Sequence, residues 1–233
     1  MPARFFAALL ARRWALLGLF CGIGLPMLLF GGLAEDVWTR EGLPFDLPLL
    51  RWLHGLDTPF LDRVALTLSL IGGPLPMVGV AALLFVGFCL RRHYHEALFF
   101  FTVVGGSALL NVLGKIVFRR ERPDLWVSLA PEGDYSFPSG HAMGSTALVA
   151  ALVCLTWGMR GRWLVLVVGT LFVLGVGLSR LYLGVHYLSD ILAGWSVALA
   201  WAFGVNALWR VPVRTFWQER AAMRHPRAAT PPH

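Results

Sequence analysis

Charge is what this sequence has least of. Of its 233 residues 14% are charged and 57% are hydrophobic, against about 25% charged in a soluble domain. Mean hydropathy is +0.66. An ordinary soluble surface is excluded, and a membrane protein is expected. Cysteine is nearly absent: Cys21, Cys89 and Cys154 all lie inside apolar runs, with neither the framework spacing of disulfides nor that of a metal site. Lys115 is the only lysine; every other cation among the 20 Lys and Arg is arginine. There is no internal repeat and no long low-complexity segment, and the Pro-rich end Ala228–His233 reads as a frayed tail. No basic helix or stripe accompanies the net charge of +7, so no nucleic-acid partner is expected. No carboxylate cluster suits Mg²⁺, so neither a metal nor a cofactor is expected.

What is present is a series of long apolar runs. Residues 2–13 set Arg4, Arg12 and Arg13 around Phe5, Phe6, Leu9 and Leu10, a basic amphipathic lead-in suited to a membrane surface. Trp14–Leu33 is free of charge and long enough to span. A cleaved signal sequence is the rival, but the run exceeds the roughly 7–15-residue signal core, which favours an uncleaved helix. Residues 35–63 are polar and suggest short helices on the outer surface, read as a connector. Val64–Leu90, broken at Gly72-Gly73-Pro74, predicts a bent lead-in and a second span over about 70–90. Further spans are expected at Ala97–Gly114, His141–Trp157, Trp163–Leu178 and Tyr187–Trp209. The fold expected is all-α, an integral membrane protein of six transmembrane helices. Residues 1–210 form one domain and 211–233 a basic tail. Alternating spans place 12 of the 20 Lys and Arg on one side with only two acids, Glu96 and Glu219. The positive-inside rule then puts both termini in the cytoplasm.

This topology sends three polar clusters to the outer ends of spans three to six. Lys115 and Arg122 follow span three. Either could be an interfacial side chain, and Arg119 and Arg120 are read as no more than that. Pro138-Ser139-Gly140-His141 precedes span four. Ser139 suits an N-cap, and the helix start behind it offers free N–H groups and the positive dipole end to an anion. Gly140 permits close approach of that anion, and His141 stands where it could protonate a leaving oxygen. Ser179-Arg180 is followed by His186 and Asp190. Four residues apart, His186 and Asp190 would stack on one helix face, and the carboxylate would fix the imidazole tautomer and free the other nitrogen as base or nucleophile. An acid near the start of an apolar span is expensive without a partner. Arg180 supplies a fork suited to phosphate.

Lys115-x6-Arg122-Pro123, Pro138-Ser139-Gly140-His141 and Ser179-Arg180-x5-His186-x3-Asp190 together resemble the three-part signature of the type-2 phosphatidic acid phosphatase family. That family includes bacterial undecaprenyl pyrophosphate and phosphatidylglycerophosphate phosphatases and, more distantly, vanadium haloperoxidases. The resemblance implies a lipid phosphatase without a metal. His186 would be the nucleophile that forms a phosphohistidine, Asp190 its orienting partner and His141 the general acid and base. Lys115, Arg122, Arg180, Ser139 and Gly140 would hold the phosphoryl oxygens. The expected enzyme lies in a bacterial inner membrane with its site facing the periplasm. Its partner is a lipid phosphate in the bilayer, with undecaprenyl pyrophosphate first and phosphatidylglycerophosphate or phosphatidic acid close behind. A lipid phosphotransferase with the same site and a non-catalytic lipid-binding or transport protein are the alternatives.

Overall fold

The computed structural model describes residue 13 and residues 16–224, with side chains described through Trp209. Every regular element among them is helical. The N-terminal lead-in up to residue 12 and the last nine residues lie outside the described residues. The helices are α1 (Leu16–Thr39), α2 (Asp46–His54), α3 (Pro59–Ile71), α4 (Pro74–Leu90), α5 (Tyr94–Phe118), α6 (Gly140–Thr156), α7 (Arg162–Tyr182) and α8 (Leu188–Arg224). Helix α1 widens into a π-helical turn over Phe20–Gly24, where Gly22 lies against Phe203 of α8.

Four stretches are long and apolar enough to cross a membrane: α1, α5, α7 and the Leu188–Trp209 part of α8. A fifth candidate is the pair α3 and α4, bent by 45°. The bend follows from sequence: Gly72 ends α3, and Pro74, which lacks an N–H, opens α4 behind extended Gly73. The bent lead-in is therefore present, and the chain is a multi-pass membrane protein. The remaining expected span, the fourth, is α6, whose 17 residues extend only about 25 Å. Its start, Ser139, is fully buried. Exposed leucines along α4 and α7, Leu75, Leu83, Leu164 and Leu171 among them, form the kind of apolar exterior that faces lipid.

Helix α6 occupies the centre and packs against α5, α7 and α8. The main core joins Phe99, Phe100 and Val103 of α5, Met143, Ala147 and Ala151 of α6, and Ala198 and Ala202 of α8. Alanines on two facing helices let their backbones approach closely, which is how helices gain packing contacts where lipid supplies no hydrophobic drive. Gly194 carries this furthest. A Cβ there would lie 2.9 Å from the Ser139 carbonyl oxygen, so α8 seats directly on the start of α6.

The segment 35–63 is more than a surface connector. Leu50 and Leu53 of α2 join a core with Ala142, Leu181 and Ile191, and Asp46 is 2% exposed. The loop 119–139 folds over the same end of the bundle. Its Trp126 stacks on His54 with ring centroids 4.0 Å apart and covers Gly184, whose φ of +68° is one that L side chains rarely adopt.

Candidate active site

Lys115 lies near the C-terminal end of α5, Arg180 near that of α7, His141 at the start of α6 and Asp190 in the first turn of α8. All therefore meet at one end of the bundle, under loop 119–139. Ser139 caps α6 by accepting from Ala142 N at 3.4 Å, as expected of its position.

The His186–Asp190 pair is present, but the stacking expected along a helix face is not. His186 lies in the turn between α7 and α8, and Asp190 is the third residue of α8. Asp190 Oδ2 reaches back to accept from Tyr187 N at 2.8 Å, the reciprocal half of a capping box, and lies 3.3 Å from His186 Nδ1. On the other side of the ring, His186 Nε2 is 3.1 Å from Arg122 Nη1. A guanidinium can only donate, so Nε2 is the acceptor and Nδ1 carries the proton toward Asp190. The Nε2 lone pair thus faces the cationic cluster. Burial lowers the His186 pKa against the raising effect of Asp190, and Arg122 and Arg180 lower it further, which keeps the ring neutral.

At the centre of that cluster is a carboxylate, Glu132 of the covering loop. Its Oε1 lies 2.5 Å from Arg180 Nη2 and 3.6 Å from His141 Nδ1. Its Oε2 lies 2.6 Å from Arg122 Nη2 and 3.8 Å from His186 Nε2. Burial works to raise the Glu132 pKa, but Arg180, Arg122 and the two imidazoles outweigh it and hold the carboxyl below its ordinary value. Arg180 is 1% exposed; its Nη1 donates to Ser69 Oγ of α3. Asp134, two residues after Glu132, pairs with Lys115 and with Arg122 Nη2 at 2.5 Å. Burial opposes these two cations, yet they bring the Asp134 pKa down to about 2.

A second network lies behind Asp190. Arg120 Nη1 donates to Asp190 Oδ1 at 2.6 Å and to Ser189 Oγ at 2.7 Å, and Nη2 donates to Asp46 Oδ2 at 2.9 Å. Asp46 also accepts from Ser189 N at 3.0 Å and Ser189 Oγ at 2.5 Å. The Arg120 guanidinium carbon sits 4.0 Å above the Tyr187 ring. Burial would lower the Arg120 pKa, but Asp190 and Asp46 prevail and raise it. Arg120 is no interfacial side chain; it is a fork between two buried carboxylates.

The arrangement offers a neutral imidazole with a directed lone pair, a second histidine across a carboxylate-sized space, and three cations, Arg122 and Arg180 on that space and Lys115 joined to it through Asp134. The model of the PAP2 superfamily matches residues 96–214. The chain belongs to the PAP2 superfamily. Among its relatives is phosphatidylglycerophosphatase B of Bacillus subtilis, 29% identical over 153 residues that cover 64% of this chain and 75% of that one. Another is an undecaprenyl-diphosphatase of Sulfolobus acidocaldarius, 27% identical over 187 residues, 78% of this chain and 84% of that one. The crystal structure of a transmembrane PAP2 type phosphatidylglycerolphosphate phosphatase from Bacillus subtilis superposes with a TM-score of 0.71 at 26% identity, covering 78% of this chain and 93% of that chain.

In this PAP2 superfamily member, Lys115, Arg122, Ser139, Gly140, His141, Arg180, His186 and Asp190 all fall in or beside the one cluster. Lys115 joins it through Asp134, and Gly140 borders it beside Asn111, which donates to the Pro138 carbonyl at 3.0 Å. Sequence reasoning missed Asp46, Ser69, Arg120, Glu132 and Asp134. For Asp46, Glu132 and Asp134 the only signal was an acid in a loop of mixed charge. For Arg120 it was the third of four closely spaced cations.

Proposed function

We propose that the protein is an integral membrane lipid phosphatase that cleaves a terminal phosphate through a phosphohistidine at His186. The observation that carries this is the pair of histidines facing one anion position from two sides, with Arg122 and Arg180 on that same anion. His186 Nε2 attacks phosphorus and the bond to the leaving oxygen breaks. That oxygen takes a proton from His141 as it departs. His141 then removes a proton from water, which attacks phosphorus, frees His186 and releases phosphate. Asp190 holds the imidazolium character that develops on His186. Arg122, Arg180, Lys115, Ser139 and the Gly140 N–H stabilise the charge on the phosphoryl oxygens, and no step needs a metal.

Two cavities support a lipid substrate. One of about 440 Å³ opens beside the α3–α4 bend and is lined by Ser69, Gly73, Pro74, Glu132, His141 and Arg180. The other, about 510 Å³, lies among α4, α5 and α6 and runs from apolar Met77 and Phe100 up to Gly140. A phosphate head group fits the first while the adjoining chain follows the second. Counting α6 as the fourth of six spans, the basic segments fall on the cytoplasmic side of a bacterial inner membrane and the site faces outward. Undecaprenyl pyrophosphate is the first substrate on this reading. Phosphatidylglycerophosphate and phosphatidic acid follow, and transfer to a second lipid hydroxyl is the competing use of the same intermediate.

The test is phosphate release by purified protein from a panel of these lipids in EDTA. Activity should persist in EDTA, vanish in His186→Ala and His141→Ala, and be inhibited by vanadate, a mimic of five-coordinate phosphorus. Strict Mg²⁺ dependence, or full activity in His186→Ala, sinks the mechanism. Turnover only with an acceptor lipid selects the transferase.

A further inference from the structure

We infer that Glu132 is a built-in competitor for the phosphate position, and that it lowers the site's apparent affinity for every anion far enough that singly charged phosphodiesters no longer occupy it while doubly charged terminal phosphates still do. This rests on the reading of the cluster as a phosphate site.

The carboxylate is held by charge but is an imperfect occupant. It offers two oxygens to Arg122, Arg180, His141 and His186 together. Buried Arg180 pairs with Glu132 through Nη2 at 2.5 Å but keeps Nε with no acceptor among the described residues. Buried donors without acceptors are costly. A tetrahedral phosphate brings three peripheral oxygens and satisfies more of them. Glu132 stands on a covering loop, with a side-chain exposure of 26% against 1% for Arg180, and borders the 440 Å³ cavity, so it has somewhere to go. Its neighbour Asp134 plays the same part toward Lys115 and shares Arg122 Nη2 with it.

Exclusion of the weaker ligand follows from the exchange. A phosphodiester carries one negative charge, as Glu132 does, so its binding swaps like for like against a tethered and therefore locally concentrated rival. A phosphomonoester near neutral pH carries between 1.5 and 2 charges, about as a phosphorylated side chain does, and a terminal diphosphate carries at least as many; either gains attraction in the exchange. A membrane consists largely of phosphodiester lipids, which meet the site at far higher density than any substrate. Without an internal anion, the same three cations would be held by them.

The experiment compares wild type, Glu132→Gln and Glu132→Asp in binding two soluble probes, inorganic phosphate and dimethyl phosphate. Binding is read by thermal shift and by competition against lipid phosphate hydrolysis. Wild type should bind phosphate and barely respond to dimethyl phosphate. Glu132→Gln should bind dimethyl phosphate tighter by on the order of ten- to hundredfold, the worth of one charge-assisted contact, and phosphate binding should rise by a similar factor, since both probes displace the same carboxylate. Glu132→Asp keeps the charge and should stay close to wild type, which separates loss of charge from loss of fold. Unchanged dimethyl phosphate binding in a folded Glu132→Gln protein overturns the inference, as does a collapse of kcat with both affinities unaltered, which would make Glu132 part of the chemistry. If wild type neither binds phosphate nor releases it from any lipid, the phosphate-site assignment fails, and this inference with it.

Discussion

Replacing Asp46 by Asn changes one atom type in a helix that touches no part of the phosphate position, yet it should slow the chemistry. Asp46 accepts three bonds: from Arg120 at 2.9 Å and from Ser189 N and Oγ at 3.0 and 2.5 Å. An amide has one acceptor oxygen. If that oxygen keeps Ser189 N, the amide NH₂ is turned toward Arg120 Nη2, donor against donor. One charge-assisted bond is lost, about 1.5–3 kcal/mol of stability. Arg120 then answers only to Asp190 and Ser189, and the carboxylate it steadies is the one that orients His186. If about 1.4 kcal/mol of that loss reaches the transition state, kcat falls roughly tenfold. KM should remain within about twofold, because Asp46 contacts neither Arg122 nor Arg180. The assay is initial-rate phosphate release at varied lipid concentration, alongside thermal unfolding in the same detergent. A destabilised protein with wild-type kcat would show the brace to be structural only. A raised KM with kcat intact would mean that Asp46 acts on the phosphate position, and the reasoning would be wrong.

Arg122→Lys should raise KM by at least about tenfold, read from the same rate curves, since a point charge cannot serve Glu132 or its replacing phosphate, the Val185 carbonyl and His186 Nε2 at once. The rate's acid limb should lie below the ordinary histidine value of about 6.5, because burial lowers the His186 pKa; protonation through that lowered value removes the lone pair, and a pH–rate profile measures it. Stability shares the sign. An unfolded chain takes a proton on His186 near 6.5 and on Glu132 and Asp134 near their ordinary values, while the folded site resists all three. Melting temperature should therefore fall as pH drops from 7 to 4. Gly194→Ala should cost roughly 1–3 kcal/mol and activity with it, since its Cβ would meet the Ser139 carbonyl at 2.9 Å; a wild-type melting temperature would show that α8 can give way.

The legible part of this protein was local. Apolar runs located α1, α5, α7 and the Leu188–Trp209 part of α8, and Gly72-Gly73-Pro74 marked the bend, because each signal lies within one stretch of chain. Eight cluster residues were identified from three short motifs. The illegible part was set by tertiary contact. Arg120 and Asp46 are 74 positions apart, and neither has a distinguishing neighbour in sequence, so the fork between two buried carboxylates exists only once α2 docks. Glu132 was hidden for a different reason: an acid among clustered cations runs against what a phosphate motif asks for. The His186–Asp190 spacing was interpreted correctly as a pair and incorrectly as a helical one, because a helix start at Leu188 puts the histidine outside the helix and lets Asp190 cap it.

Asp190 touches each of the three sequence motifs. Its Oδ1 binds Arg120 of the first, its carbonyl oxygen accepts from Ser139 N of the second at 3.1 Å, and its Oδ2 serves Tyr187 and His186 of the third. Half a site is therefore not an option for this chain. A protein divided in the turn between α6 and α7 would place two motifs on one fragment and His186 with Asp190 on the other. Neither fragment has a functional remnant to contribute, and activity on co-expression would report that the two halves had found each other in the bilayer with their helices in register.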